Sequence, residues 1–240
     1  MQEIRIFSVL FKEPIARAEM EYFRAAIVAK VGDRQDRHLF HNHNNLPDGT
    51  DGGYHYRYPL VQYQMERGKP KLVFINEAIN EAKFFFANES WDLQLGNRCY
   101  TSEIAELKTQ QFHMDKTEHF QHYRLNNWLA LNEANHQKYQ RMESFQERLL
   151  LLENILVSHI LAMAKGLGYY FTQRFEARIT DVLQQRVQPF HETEMNSFTI
   201  EFKANVKLPN LSMGKGSSLG FGTIRQLKKQ PDTATQPIEH

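Results

Sequence analysis

An α+β chain of two tandem units, each running strand, helix, strand, strand, helix, strand, is the fold class this sequence predicts. Three observations carry the expectation. Alternating runs such as Ile4 to Phe11 signal half-buried strands. Apolar residues at three- and four-residue spacing, such as Ala16, Met20, Phe23 and Ile27, signal amphipathic helices. The order of these signals over residues 1–115 recurs, more loosely, over residues 116–229.

In the first unit, the strand Ile4 to Phe11 leads to Pro14, a residue tolerated in the first turn of a helix, and Gly32 supplies a stop. Asp33 to Gly53, with Pro47, Asp48, Gly49, Asp51, Gly52 and Gly53, reads as a long loop, and long loops in compact domains tend to carry function. Tyr54 to Met65 and Lys71 to Ile75 are strand-like runs joined by the turn signal Glu66-Arg67-Gly68-Lys69-Pro70. Asn76 is the expected cap of a helix through Phe86, and Arg98 to Phe112 the closing strand.

The second unit opens with a strand over Glu118 to Leu125. Asn132 is the expected cap of a helical stretch whose stripe is Leu149, Leu152, Leu156, Ile160 and Met163, ended by Gly166 and Gly168. Tyr169 to Leu183, Arg186 to Glu192 and Ser197 to Val206 are strand candidates, and Thr223 to Leu227 closes the unit. The second helix is absent or a short turn. Two tandem ferredoxin-like (RRM-like) units, with a polar tail at 230–240, follow from this order.

With 240 residues, 41% of them hydrophobic, the chain can bury a sizeable core. An apolar run such as Leu149 to Leu152 is far short of a bilayer span, so no membrane partner and a cytoplasmic location are expected. Cys99 is the only cysteine, which excludes an intrachain disulfide and a cysteine-cluster zinc site. The net charge of +1 is neutral on nucleic acid, but its distribution is not: Lys203 to Lys229 holds six basic residues and no acidic one, where a polyanion would dock.

Gly214, Gly216, Gly220 and Gly222 fall within nine residues, with Lys215, Ser217, Ser218 and Phe221 among them. Glycine permits positive φ and close backbone approach, and a turn that aims amides at one point makes an anion nest beside Lys215. The Gly-Lys-Ser/Thr order of a triphosphate loop and the third glycine of a dinucleotide fingerprint are both missing. A strand follows instead.

This loop resembles the C-terminal glycine-rich motif of the CRISPR repeat-RNA endonucleases of the RAMP superfamily. His41-Asn42-His43, Tyr56-Arg57-Tyr58-Pro59-Leu60-Val61-Gln62-Tyr63, the Phe74-Ile75-Asn76-Glu77 junction, His122-Tyr123-Arg124-Leu125 and Ala164-Lys165-Gly166-Leu167-Gly168 match in the same order, from residue 1 to 229. The resemblance implies tandem ferredoxin-like units that grip CRISPR repeat RNA with the glycine-rich loop and a cleft. It implies cleavage without a metal or other cofactor, by attack of a ribose 2′-hydroxyl, giving a 2′,3′-cyclic phosphate. It places the catalytic histidine after the first helix, where His38, His41 and His43 lie. Other CRISPR effector subunits and a second copy of the chain are further partners it admits, and a subunit that binds repeat RNA without cutting is the alternative activity.

The chemistry of such cleavage needs a base for the 2′-proton, an acid for the leaving oxygen and positive charge nearby. Histidine titrates near neutrality and suits both proton roles. On an extended segment, His41 and His43 point to the same side. Tyr56 is a rigid donor that could position the phosphate, while Gly214, Lys215, Gly216, Ser217, Ser218, Gly220, Phe221 and Gly222 are the expected RNA-binding residues. A His-x-His pair supplies only two metal ligands, and no carboxylate or cysteine stands at ligand spacing, so no metal is expected.

Overall fold

Alternation decides the first strand: in β1 (Ile4–Phe11), Ile4 and Ile6 turn to one face, Val9 and Phe11 to the other, and all four are buried. The computed structural model describes residues 3–32, 38–41, 58–87, 92–190 and 193–228. A 3-10 turn, Arg17–Glu19, leads into α1 (Met20–Val31), whose buried side is Met20, Phe23, Ile27 and Val31. Ala16, expected on that stripe, is exposed because the helix begins only at Met20; Ile15 is buried in its place. Gly32 ends α1 at φ 84°. Most of the expected loop 33–53 lies outside the described residues, apart from the short α2 (His38–His41).

β2 (Val61–Glu66) and β3 (Lys69–Ile75) form a tight hairpin through Arg67 and Gly68, both left-handed at φ 53° and 78°. Asn76 does not cap the next helix. It sits at φ 51° and its Oδ1 accepts from the Arg5 amide, tying β1 to the end of β3. A 3-10 stretch, Asn76–Glu81, and α3 (Ala82–Phe86) follow. The expected strand Arg98 to Phe112 is two strands: β5 (Arg98–Thr101) pairs with β4 (Asp92–Leu95), and β6 (Ile104–Phe112) joins β1.

In the second unit, β7 (Lys116–Trp128) precedes α4 (Glu133–Arg141) and α5 (Phe145–Gly166). The Asn132 side chain caps α4 by accepting from the Asn135 amide, as expected, but the helical stretch breaks and Ser144 caps α5 afresh. Leu152, Leu156, Ile160 and Met163 are buried along α5, with Leu149 only half-buried. The two strands expected between Tyr169 and Glu192 are one, β8 (Ala177–Phe190), in which register shifts after Ile179 and Val182 absorb the broken alternation. β9 (Thr193–Val206) and β10 (Thr223–Gln226) complete the unit. Between them, a 3-10 turn at Ser217–Leu219 stands where a second helix would be.

The sheets are antiparallel, ordered β2-β3-β1-β6 and β10-β7-β9-β8. In order of appearance within its own unit, each sheet places the first strand between the third and the fourth. That is the ferredoxin-like arrangement, twice.

Two cores result. Val9, Phe11, Phe23, Phe74 and Phe85 pack between the first sheet and its helices, with Phe11 edge-on to Phe23 at 5.3 Å. On the other face of that sheet, Ile4, Ile6, Val73 and Ile75 join the core of the second unit. A buried polar seam lies beside this apolar contact. Val61 and Tyr63 of β2 belong to the first core, while Gln62 and Gln64, both buried, turn to the second unit. Gln62 Oε1 accepts from the Ser212 amide and from Gln64 Nε2, each at 2.9 Å. Its Nε2 donates to Tyr58 Oη at 2.8 Å, and Tyr58 Oη donates to the Ser212 carbonyl at 2.7 Å. Burial raises the Tyr58 phenol well above its ordinary range, so it stays protonated and serves as that donor.

Replacing Gln62 by leucine keeps the volume but strips partners from Ser212 and Tyr58 inside the seam. The expected loss is roughly 2–4 kcal/mol, measured by urea unfolding of Gln62→Leu against the parent protein.

Candidate functional site

The glycine-rich loop is laid directly on the backbone of the first unit. At Gly220 (φ 73°), a Cβ would stand 2.6 Å from the Tyr63 carbonyl oxygen and 3.0 Å from Gln64 Cα. No side chain fits there, and the conformation itself favours glycine. At Gly214, a Cβ would stand 2.8 Å from His159 Nδ1 and 3.0 Å from Trp128 Nε1. The loop therefore touches β2 at one end and the root of its own unit at the other.

Apolar side chains hold it there. Leu219 and Phe221 pack with Leu129 and with Phe190 from the tip of β8, where the Phe190 and Phe221 rings meet edge-on at 5.4 Å. The Arg17 guanidinium, from the turn ahead of α1, covers the Phe221 ring at 4.4 Å. Burial draws the Arg17 pKa down, with the Glu21 charge opposing it. Arginine nevertheless stays charged.

The expected RNA-binding residues divide accordingly. Ser217, Gly220, Phe221 and Gly222 are buried, Gly214, Gly216 and Ser218 are half-buried, and Lys215 is exposed, its Nζ 5.5 Å from the Phe190 ring centre. The amides of Leu219 and Phe221 donate to Gly216 O, that of Gly220 to Ser217 O and that of Gly222 to Asn127 O. Four amides of the loop, which the anion-nest expectation would aim at a ligand, are thus bonded to protein carbonyls instead.

Of the expected catalytic residues, His41 closes the backbone of α2; its side chain, and all of His43 and Tyr56, lie outside the described residues. Their flanks are described. Phe40 is buried in the first core, edge-on to Phe74 at 5.8 Å, and Phe74 pairs with Val61 of β2. Gly220 rests two to three residues further along that strand, on the order of 7–10 Å away at the usual rise. Tyr58, two residues after Tyr56, is bonded to Ser212 beside the loop.

Between the helix-free face of the first sheet and β10 runs a cleft lined by Ser8, Gln64, Lys71, Lys108 and Arg225, with the carboxylates of Glu66 and Glu106 also on its wall. Lys71 pairs with Glu66 at 2.8 Å, and that hydrogen bond holds the Glu66 carboxyl below its usual range. Strand register places Arg225 opposite Arg124, which is itself paired with Glu201 at 2.7 Å, and His122 opposite Lys203. Among the described residues, no three of His, Cys, Asp and Glu gather as metal ligands.

The Cas6b N-terminal domain family matches residues 2–113 and the Cas6b C-terminal domain family residues 115–227. The chain belongs to the Cas6b family. An uncharacterized protein of Methanocaldococcus jannaschii is 32% identical over 103 residues, 42% of this chain and 69% of that relative. Among solved structures, a Cas6b crystal structure aligns at TM-score 0.82 and 22% identity, covering 94% of this chain and all of its own. A second, of a CRISPR RNA processing endoribonuclease Cas6b, aligns at 0.69 and 21%, with the same coverage. At these identities the structures show the tandem ferredoxin-like fold that this Cas6b chain shares.

Sequence reasoning missed several residues that build the site. Gln62 enters only within the Tyr56 to Tyr63 match and Gln64 carries no expected role, because nothing local announces that another unit covers them. Arg17 is hidden by its place in a polar helix start. His159 lies within α5, its Nδ1 accepting from the Trp128 indole N–H at 2.9 Å, and burial lowers its pKa to about 4. The visible signal was a histidine three residues after Leu156, next to Ile160 on an apolar stripe.

Gly220→Ala combines a left-handed φ with a backbone clash, so a loss of about 2–4 kcal/mol is expected. Gly68→Ala, at φ 78° with open space around it, should lose only about 1 kcal/mol. Chemical denaturation of both variants checks the contrast.

Proposed function

We propose that this protein is an endoribonuclease that cuts CRISPR precursor RNA within its repeats, without a metal ion. The ribose 2′-oxygen attacks the adjacent phosphorus, the bond to the 5′-oxygen breaks, and the products are a 2′,3′-cyclic phosphate and a 5′-hydroxyl. His41 and His43 share the base and acid roles, one removing the 2′-proton and the other protonating the leaving oxygen. Tyr56 orients the scissile phosphate. Lys215, with Ser218 and the surrounding loop, holds the neighbouring backbone phosphate.

Membership of the Cas6b family supports the reading, as does the likeness in fold to a CRISPR RNA processing endoribonuclease. The observation that carries it is local. Before the histidine stretch, Phe40 packs on Phe74 of β3, the neighbour of the strand β2 on which the glycine-rich loop rests; after it, Tyr58 is bonded into the seam beside that loop. The cleft with Lys71, Lys108 and Arg225 offers RNA a route away from that point.

The His41→Ala, His43→Ala double variant should still bind repeat RNA but cleave it at least 100-fold more slowly. Parent activity should persist in EDTA. Gel assays of labelled repeat RNA measure both, and undiminished cleavage by the double variant would falsify the assigned roles. If the parent binds repeat RNA and never cuts it, the protein is a binding subunit. Separately, Lys215→Ala should weaken binding and lower the slope of log K against log salt by about one phosphate contact, read from a titration series at several salt concentrations.

A further inference from the structure

At the Gly214–Lys215 end of the glycine-rich loop lies a cavity of about 270 Å³ lined by Leu129, Leu131, Asn135, Ile155, Ser158, His159 and Lys215. Its volume falls just under the range of drug-sized ligand sites, the scale of one flat ring system. Leu129, Leu131 and Ile155 make aliphatic walls. The polar groups are few and directed.

His159 is the decisive one. Its Nδ1 accepts from the indole N–H of Trp128, and an indole can only donate. The ring is therefore locked in the tautomer that carries its proton on Nε2, and Nε2–H is the donor it can offer the cavity. Ser158 Oγ donates back to the Asn154 carbonyl, which leaves its oxygen as an acceptor. Asn135 uses its backbone amide to complete the cap of α4, leaving its side chain to donate and accept. Lys215 stands on the loop at the cavity and is exposed.

We infer that this cavity takes one unpaired nucleobase of the RNA strand held at the glycine-rich loop, with His159 Nε2–H donating to a ring nitrogen or carbonyl oxygen of the base. This inference rests on the RNA-binding reading above. A phosphate would meet a neutral imidazole and aliphatic walls there, a poor exchange for its hydration. A base meets apolar faces for its ring and directed partners for its edge. Lys215 is placed to take the phosphate attached to that nucleotide.

The test uses the intact protein and a panel of CRISPR repeat RNAs. The tightest-binding repeat is then made abasic at each unpaired position in turn. One position should weaken binding by the parent roughly ten-fold. His159→Phe should lose about the same factor on intact RNA and nothing more on that abasic RNA. His159→Gln, which restores a donor near Nε2, should recover most of it. Phe leaves the Trp128 indole N–H without its acceptor, whereas Gln retains an oxygen that can accept, so binding of both variants is compared at a temperature where thermal unfolding shows each to be folded. A flat abasic profile, or equal affinity of the Phe and Gln variants for intact RNA, overturns the inference while leaving repeat-RNA binding intact. If the parent binds no RNA in the panel, the proposed function falls and this inference with it.

Discussion

The structure depends on the close approach of one backbone to another: the turn at Gly220 against the carbonyl of Tyr63 and the Cα of Gln64. β2 is one of the two edge strands of the first sheet, with a row of backbone groups not paired to another strand of it. Laying the loop on it covers that edge, seats Phe221 under Arg17 and brings the start of α1 into the same corner. A loop that looks built to receive a ligand is thus first a joint between two halves of the protein. Its glycines are accounted for by protein atoms, and what remains for a polyanion is the rim.

The joint divides its work between two kinds of contact. Ile4, Ile6, Val73 and Ile75 merge with the second core, which supplies favourable burial but little direction. The Gln62, Tyr58 and Ser212 network adds about 1 kcal/mol per hydrogen bond, whereas a mismatched seam would strand several buried groups at about 1–3 kcal/mol each. The polar part therefore sets position more than strength. That matters for a site assembled from both units, because a shift of one residue along β2 would separate the loop from Tyr58 and its neighbours.

Much of this was legible in the sequence where the signal is local. Alternation marked β1, β9 and β10, Gly32 marked the end of α1, and Asn132 marked the cap of α4. Failures came where tertiary packing overrode the pattern. The four-residue strands β4 and β5 are too short to show a period, and Leu93, Leu95 and Tyr100 declare themselves only once buried against the first core. The break before Ser144 is invisible because apolar spacing continues through it. At the site, the glycine run announced a special loop but not its partner, since nothing in a run of residues near 220 points to a strand at 61–66. His159 drew no reading from the sequence, since a lone histidine within a helix gives no local sign of a cavity; its hydrogen bond to Trp128 occupies one ring nitrogen and leaves the other over.

β10 pairs with a strand formed some 97 residues earlier, and the turn that closes over β2 immediately precedes it. During synthesis the first sheet can be complete once β6 has left the ribosome, yet its cover is still about a hundred residues away, a delay on the order of ten seconds at ordinary elongation rates. For that interval the nascent first half waits with Gln62 and Gln64 turned to water. Ile4, Ile6, Val73 and Ile75 wait uncovered on the same face, and the amides beside them keep part of that surface wettable until the last strand arrives.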